Sequence, residues 1–177
     1  MPWYPLRDLK RPNAKDPAYK MLESQGFEIF TPMTTRLTTH QGKKQKITVP
    51  VIPDLLFAHA EKSDLDPIIL RTSTLQYRYA PGQNFDSPMT VRDQDMEQFI
   101  KAVNAAGTEA VKYLTPAELT RHHIGATIRI TDGGPLDGLE GRLLSIRGSK
   151  KRRLLIELPA LLTAAIEISP AYLQLLP

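Results

Sequence analysis

The first half of the chain carries the hydrophobic patterns of both helices and strands. Apolar residues recur at helical spacing over 15–25 and 96–103; Asp93 caps the second of these runs, and Gly26 and Gly107 follow as helix stops. Ser63 and Asp66 resemble a capping box, which predicts a third helix over 64–71. Polar–apolar alternation or short apolar runs predict strands at 3–6, 27–33, 47–51, 55–60 and 75–80, with a hairpin turn at 40–43.

From residue 124 onward the pattern changes to short strands separated by Gly and Pro. Isoleucine and leucine alternate with polar residues in five short segments, which is typical of a small barrel whose closed sheet has no free edge. The segment Thr115-Pro116-Ala117-Glu118 is a complete capping box with Pro at the first helical position. It predicts a short helical turn between the two halves.

These patterns predict an α+β protein of two domains. Residues 1–107 are expected to form an α/β domain. A linker with a short helical turn is expected over 108–123, and a five-stranded β-barrel over 124–177. The length of 177 residues is compatible with two small cores.

Charge is distributed unevenly behind the net value of +4. Residues 1–50 contain nine Lys/Arg and four Asp/Glu, residues 121–153 contain eight and three, and residues 54–120 are acidic. Such an oriented field suits a protein that meets a polyanion with particular surfaces. Ordinary solubility charge is the competing interpretation.

The motifs of common enzymes and metal sites are missing from the sequence. The chain has no Cys, no Gly-x-Ser-x-Gly elbow, no His-Glu-x-x-His motif and no phosphate loop. The adjacent His122 and His123 have no acid at a ligand interval, so we interpret them as linker residues. We therefore expect a non-enzymatic protein without a metal or cofactor. The sequence has no apolar run of membrane-spanning length and no signal-peptide core, which favours a soluble cytoplasmic protein.

The most specific motif is rich in glycine. Gly125 precedes a strand with alternating Ile, Gly134-Pro135 and Gly138 follow that strand, and Gly141 opens the next one. Glycines adopt turn dihedrals that other residues avoid, so the chain can reverse tightly between two strands. This segment resembles the KOW motif of certain ribosomal proteins and of NusG-type transcription factors. The resemblance implies an SH3-like KOW domain over 124–177.

Three segments of the first half, 3–4, 26–33 and 51–57, resemble the NGN domain of NusG. This resemblance implies that residues 1–107 form an α/β domain with a mainly antiparallel sheet flanked by helices. With the KOW-like half, they make almost the whole chain similar to a NusG-family elongation or antitermination factor. Its texture is closest to the specialised paralogues of the UpxY and RfaH kind, which act on particular long operons. The resemblance implies binding to RNA polymerase and suppression of pausing or termination on specific operons, such as surface polysaccharide operons.

The resemblance also implies a docking site for the clamp helices of RNA polymerase. By matching position, an apolar depression would include Trp3, Ile52 and Leu55, with Pro53 fixing a bend. The sequence departs from the family pattern at Asp54, where Gly is typical, and at Leu55, where an aromatic residue is typical. The competing interpretation is that these apolar residues fill the domain core.

Basic residues follow the first predicted strand: Arg7, Lys10, Arg11 and Lys15. In paralogues of this kind the neighbouring surface reads exposed non-template DNA, so the resemblance implies contact with that strand or with nascent RNA; solvated loop charge is the alternative. A second basic loop over 147–153 is open to the same two interpretations. For the KOW domain, the resemblance implies Rho or a ribosomal protein as partner. We expect a monomer.

Two other functions are compatible with the sequence. A ribosome-associated or RNA-binding protein would use the KOW barrel and keep the first domain as an accessory. A small hydrolase stays open because the absence of a motif does not exclude an activity.

Overall fold

The computed structural model describes residues 1–11, 14–82, 85, 87–107, 110–119, 124–145, 151–168 and 173–177. The chain divides into two compact units, Met1–Asp93 and Gln94–Pro177. A cluster of buried apolar residues lies within each unit. No described helix is both long and apolar enough to cross a membrane.

The first unit is built on a four-stranded antiparallel sheet. It runs β1 (Trp3–Asp8), α1 (Ala18–Ser24), β2 (Glu28–Phe30), β3 (Met33–His40), β4 (Lys43–Pro50), β5 (Leu55–His59), α2 (Lys62–Arg71) and β6 (Leu75–Tyr77). The sheet order is β2-β5-β1-β6, so β5 separates β1 from β2 in a split β-α-β arrangement. Residues of α1 and α2 join one face of the sheet in a common core that includes Tyr4, Leu6, Leu22, Leu56, Leu65 and Leu75.

Strands β3 and β4 form a separate two-stranded ribbon. The predicted turn lies between them, where Gln41 and Gly42 have φ values of 50° and 75°. Two successive positive φ values are typical of the tight turns that join twisted antiparallel strands. The polar–apolar alternation predicted the strand β4 but not the solvent exposure of its apolar residues, since Ile47 is 40% exposed.

The predicted capping box at Ser63 is wrong. Helix α2 begins at Lys62 with Glu61 at the N-cap, so Ser63 lies inside the first turn. Asp66 accepts hydrogen bonds from Lys62 Nζ and from the Tyr77 hydroxyl, both at 2.9 Å. These bonds lower the pKa of Asp66 from its ordinary value, because each favours the ionised carboxylate. The carboxylate therefore ties α2 to β6 instead of capping the helix.

The rest of the chain contains α3 (Asp93–Ala106), β7 (Val111–Leu114), α4 (Pro116–Leu119), β8 (Ile124–Ile130), β9 (Glu140–Ser145), β10 (Arg152–Leu158), β11 (Leu162–Ile168) and β12 (Leu173–Leu175). Strands β8 to β12 occupy the five predicted segments. They belong to a six-stranded antiparallel sheet with the order β12-β8-β9-β10-β11-β7. The sixth strand, β7, lies in the segment expected as a linker and pairs with β11. The domain boundaries stay a prediction, whereas the α+β class is confirmed.

The predicted capping box before α4 is present. The Glu118 N–H donates to Thr115 Oγ1 at 3.4 Å, and the Thr115 N–H donates to Glu118 Oε2 at 2.8 Å. This reciprocal pair satisfies the N–H groups that the helix start leaves open.

Candidate functional site

The loop between β1 and α1 is held by a buried carboxylate. Asp8, which is 5% exposed, accepts hydrogen bonds from the backbone N–H groups of Lys10 at 2.9 Å and Ala18 at 2.7 Å. Because Ala18 is the first residue of α1, Asp8 satisfies a donor at the start of this helix. Lys10 Nζ donates to the Asp16 carbonyl oxygen at 2.6 Å. These bonds fix the backbone that carries Lys10 and Arg11.

This loop, α1 and the β3–β4 ribbon border a cleft of about 370 Å³, which we call the basic cleft. Asp8 is the one carboxylate among the described residues that line the cleft. Both of its oxygens accept backbone hydrogen bonds. The four cations that line the cleft are Lys10, Arg11, Lys20 and Arg36. Apolar side chains form much of its remaining wall: Ala14, Pro17, Tyr19, Ile47, Val49, Pro50 and Pro53. The cleft therefore combines positive charge with an apolar wall.

The cleft joins residues of two sets that were predicted from the sequence as separate sites. Lys10 and Arg11 come from the predicted nucleic-acid-binding set, and Pro53 comes from the predicted polymerase-binding set. Lys20 and Arg36 were missed, because only the fold brings α1 and β3 to the same cleft as the β1–α1 loop. Their one sequence signal was the basic charge of residues 1–50.

The other two predicted nucleic-acid-binding residues lie outside the lining of the basic cleft. Lys15 is exposed. Arg7 lies on the opposite face of β1 from Asp8, because neighbouring strand residues alternate. Its Nε atom is 3.4 Å from Asp54 Oδ2, and Nη2 of Arg78 is 3.0 Å from the same oxygen. The predicted set therefore divides among three places.

The ribbon adds positive charge beside the cleft. Segment 29–53 contains no Asp or Glu, and Arg36, Lys43, Lys44 and Lys46 are all exposed. Arg36 pairs across the ribbon with Ile47, and both line the cleft. One face of the ribbon therefore continues the mixed basic and apolar surface.

The predicted polymerase-binding residues do not form one exposed patch. Trp3 is 4% exposed and Leu55 is 3% exposed. Trp3 is paired with His59 at one end of β1 and β5, and Leu55 is paired with Arg7 near the other end. Four residues of β-strand separate the two ends, which is roughly 13 Å. Ile52 is half-buried and Pro53 is exposed, so these two are the predicted anchors with accessible surface.

Trp3 is part of a contact network around His59. The two rings are stacked with centroids 4.8 Å apart and an interplanar angle of 9°. His59 Nδ1 is 2.7 Å from Glu28 Oε2, and its Nε2 is 2.8 Å from the Met1 carbonyl oxygen and 3.2 Å from Asp93 Oδ1. Both ring nitrogens thus face acceptors, which only the doubly protonated imidazolium can satisfy by donating from each.

This environment raises the pKa of His59 above its ordinary value of 6.5. Burial would lower the pKa, but the hydrogen bonds to Glu28 and to the Met1 carbonyl, with the charges of Glu28 and Asp93, outweigh burial. Each of these contacts favours the charged ring. The sequence did not predict a role for His59, because its partners come from three separate segments: Met1 with Trp3, Glu28, and Asp93.

The raised pKa of His59 gives a stability prediction with a definite sign. The contribution of the protonated His59 ring to the free energy of unfolding is fully present below the unfolded-state pKa of about 6.5. It is lost as pH rises through the higher pKa of the folded state. We expect the free energy of unfolding to fall between about pH 6 and pH 9 by more in the wild type than in His59→Gln. Urea titrations at a series of pH values measure this difference. The control is His40→Gln, which changes an exposed ribbon residue; equal pH profiles for wild type and His59→Gln would contradict the interpretation.

The glycine-rich motif forms a compact loop between β8 and β9. The Gly138 N–H donates to the Ile130 carbonyl oxygen at 2.9 Å, and the Gly134 N–H donates to Asp132 Oδ1 at 2.8 Å. Gly138 has a φ of 78°, which favours glycine. Gly134 and Pro135 are exposed on this loop.

Gly125 and Gly141 serve close packing between strands. A Cβ at Gly125 would lie 3.2 Å from the Leu143 carbonyl oxygen, and one at Gly141 would clash with the Leu155 carbonyl oxygen. Residues 147–150 of the second basic loop lie outside the described residues, and so do His122 and His123.

Residues 1–100 match the family model described as transcription termination factor nusG. This match covers more than half of the 177 residues. The chain belongs to the NusG family. It is therefore a non-enzymatic transcription factor, and the family binds RNA polymerase. No curated protein matches this NusG-family chain in sequence.

Proposed function

We propose that this NusG-family chain is an elongation or antitermination factor that binds the clamp helices of RNA polymerase and contacts exposed non-template DNA. On this proposal it suppresses pausing or termination on specific operons, as specialised paralogues of the UpxY and RfaH kind do. The observation that carries the proposal is the basic cleft, in which Pro53 of the bend lies with Lys10 and Arg11.

The cleft has the chemistry that a single nucleic-acid strand requires. Cations track the phosphates with little regard to sequence, and apolar or aromatic surface packs against unstacked bases. Lys10, Arg11, Lys20 and Arg36 supply the charge, and Tyr19 supplies an aromatic ring. The backbone N–H groups of Lys10 and Ala18 are already hydrogen-bonded to Asp8, which lowers the entropic cost of binding at this end of the cleft.

The polymerase contact is proposed at the bend before β5. The Leu55 N–H donates to the Ile52 carbonyl oxygen at 3.1 Å, and the Val51 N–H donates to the Pro32 carbonyl oxygen at 2.8 Å. These bonds fix the bend and leave Ile52 and Pro53 with accessible surface. Leu55 is buried directly after it. A few such anchors on a rigid support are enough for a helix-docking contact.

For the second unit we propose a KOW domain that recruits Rho or a ribosomal protein. The support is the Gly134–Gly141 loop between two antiparallel strands, in which Gly138 adopts a positive φ.

One binding assay tests both contacts of the first unit. Elongation complexes with an exposed non-template strand are titrated with labelled protein, and dissociation constants are compared. Ile52→Asp is expected to weaken binding about 30-fold, because it removes an apolar anchor and adds a charge. Lys10→Gln with Arg11→Gln is expected to weaken binding about tenfold, equivalent to about 1.4 kcal/mol, and to reduce its salt dependence.

The control for lost charge is Lys112→Gln with Arg153→Gln, which removes two cations from the second unit. Equal losses in both double variants would mean that net charge, not the cleft, attracts the nucleic acid. Unchanged binding by Ile52→Asp would remove the docking assignment. If the lysate proteins recovered with the chain are ribosomal subunits without polymerase, the ribosome-associated function replaces the proposed one.

A further inference from the structure

Asp54 is shared by two arginines on one face of the four-stranded sheet. Arg7 Nε lies 3.4 Å from Asp54 Oδ2, and Arg78 Nη2 lies 3.0 Å from the same oxygen. Arg78 Nη2 also donates to the Asp54 carbonyl oxygen at 3.1 Å. Two guanidinium groups and one carboxylate leave a net charge of +1, so the cluster is incompletely neutralised.

The backbone places the two arginines side by side. Arg7 is paired with Gln76 of β6, and the Arg78 N–H donates to the Pro5 carbonyl oxygen at 3.1 Å. Pro5 and Arg7 are two residues apart on β1, so their side chains share a face. Strand β6 is an edge strand of the four-stranded sheet. Arg7, on the neighbouring strand β1, and Arg78 therefore lie together near this edge of the sheet.

The pairing is weak enough to be exchanged. Each arginine uses a single nitrogen for Asp54 instead of the two-point geometry that makes carboxylate pairs strong. The side chains of Arg7 and Asp54 are 48% and 42% exposed, so solvent screens their attraction. The Nε–H of Arg78 is enclosed and finds no acceptor among the described residues. A phosphate brings more acceptor oxygens and more charge than this one carboxylate.

The cluster adjoins the basic cleft along the chain. Arg7 precedes Asp8, and Asp54 follows Pro53; Asp8 and Pro53 both line the cleft. Arg7 is the second-to-last residue of β1 and lies on the opposite face from Asp8, so a nucleic-acid strand in the cleft reaches the two arginines only by passing around the end of β1.

We propose that Arg7 and Arg78 are a phosphate-binding pair for single-stranded nucleic acid, and that Asp54 is an internal competitor which the phosphate displaces. This inference rests on the proposed nucleic-acid contact of the first unit. It assigns a role to Arg78, which no sequence motif indicated. It also assigns one to Asp54, which occupies a position where Gly is typical of the family. Asp54 then sets how tightly the strand is held and lowers affinity for any exposed single strand.

The test is Asp54→Asn, which removes the charge and keeps an oxygen for Arg78. Binding of a labelled oligo(dT) of about 12 nucleotides is followed by fluorescence anisotropy over a series of salt concentrations. Asp54→Asn is expected to bind about three- to tenfold more tightly at about 50 mM salt. The slope of log K against log salt is expected to steepen by about 0.7, the value for one more phosphate contact on a single strand. Adding Arg78→Gln to Asp54→Asn is expected to return both quantities toward the wild type.

The control is Asp64→Asn, which removes one negative charge from the exposed surface of α2. An equal gain in Asp64→Asn and Asp54→Asn would overturn the inference, because net charge alone would explain it. Unchanged or weaker binding by Asp54→Asn would also overturn it, since Asp54 would then be only a structural partner of the arginines.

The proposed function is separated from this inference by Lys10→Gln with Arg11→Gln. If that variant loses affinity while Asp54→Asn gains none, the cleft contact stands and the competitor role falls. If neither the wild type nor Asp54→Asn binds the oligonucleotide, both are wrong.

Discussion

Trp3→Ala is expected to lower the free energy of unfolding of the first unit by about 3–5 kcal/mol, the usual cost of truncating a buried aromatic residue. Trp3 is 4% exposed and stacks on His59. Its backbone exchanges hydrogen bonds with Val91 at 3.1 and 2.8 Å, so the cavity lies where two segments meet. Trp3 is the one tryptophan in the sequence. Urea unfolding should therefore be followed by far-UV circular dichroism.

The matched control is Trp3→Phe, which keeps an aromatic ring against His59 and is expected to lose much less stability. If Trp3→Ala lowers the free energy of unfolding by less than about 1 kcal/mol, Trp3 does not stabilise the core, because substitutions on the protein surface have effects of that size. Polymerase binding should be compared in Trp3→Phe, since a weakened Trp3→Ala complex would report partial unfolding as well as a lost contact.

Gly141→Ala is expected to destabilise the second unit by about 3 kcal/mol, at the upper end of the overpacking range. A Cβ at Gly141 would clash with the Leu155 carbonyl oxygen and lie 2.9 Å from Leu154 Cδ1. The oxygen belongs to a strand that is paired on both sides, so it cannot move without disturbing the sheet. For a unit of this size the loss corresponds to a fall of roughly 10 °C or more in Tm.

Calorimetry measures this change, and Gly134→Ala is its matched control. A Cβ at Gly134 would meet the Asp132 side chain at 3.3 Å, which can rotate away, so this variant should stay close to the wild type. Hydrogen exchange should show lost protection in β9 and β10 of Gly141→Ala. Equal Tm values for the two variants would contradict the close-packing role of Gly141.

Local patterns predicted most elements of the fold. The capping box at Thr115 was correct because all of its bonds lie within one turn. The capping box at Ser63 was wrong because Asp66 has a partner in β6, eleven residues away. Strand β7 was missed for a similar reason: its partner β11 begins about fifty residues later, at Leu162, and no local window contains that pairing.

The candidate site was predictable in its charge and not in its geometry. The basic charge of residues 1–50 indicated a polyanion contact, but Lys10 and Arg11 share the cleft with Lys20 and Arg36 only through the fold. Bulky apolar residues are equally suited to a core and to a docking surface. The pattern therefore could not separate buried Trp3 from Pro53, which is exposed.

The β3–β4 ribbon has a consequence for how copies of the protein behave at high concentration. A two-stranded ribbon leaves unpaired backbone groups along both of its sides, which invites pairing with another chain. Lys43, Lys44 and Lys46 lie on β4, with no acid between residues 29 and 53 to offset them. Two ribbons that met side by side would bring six lysines together, which like-charge repulsion opposes. The lysines thus keep copies apart from one another while leaving the same strand attractive to a polyanion.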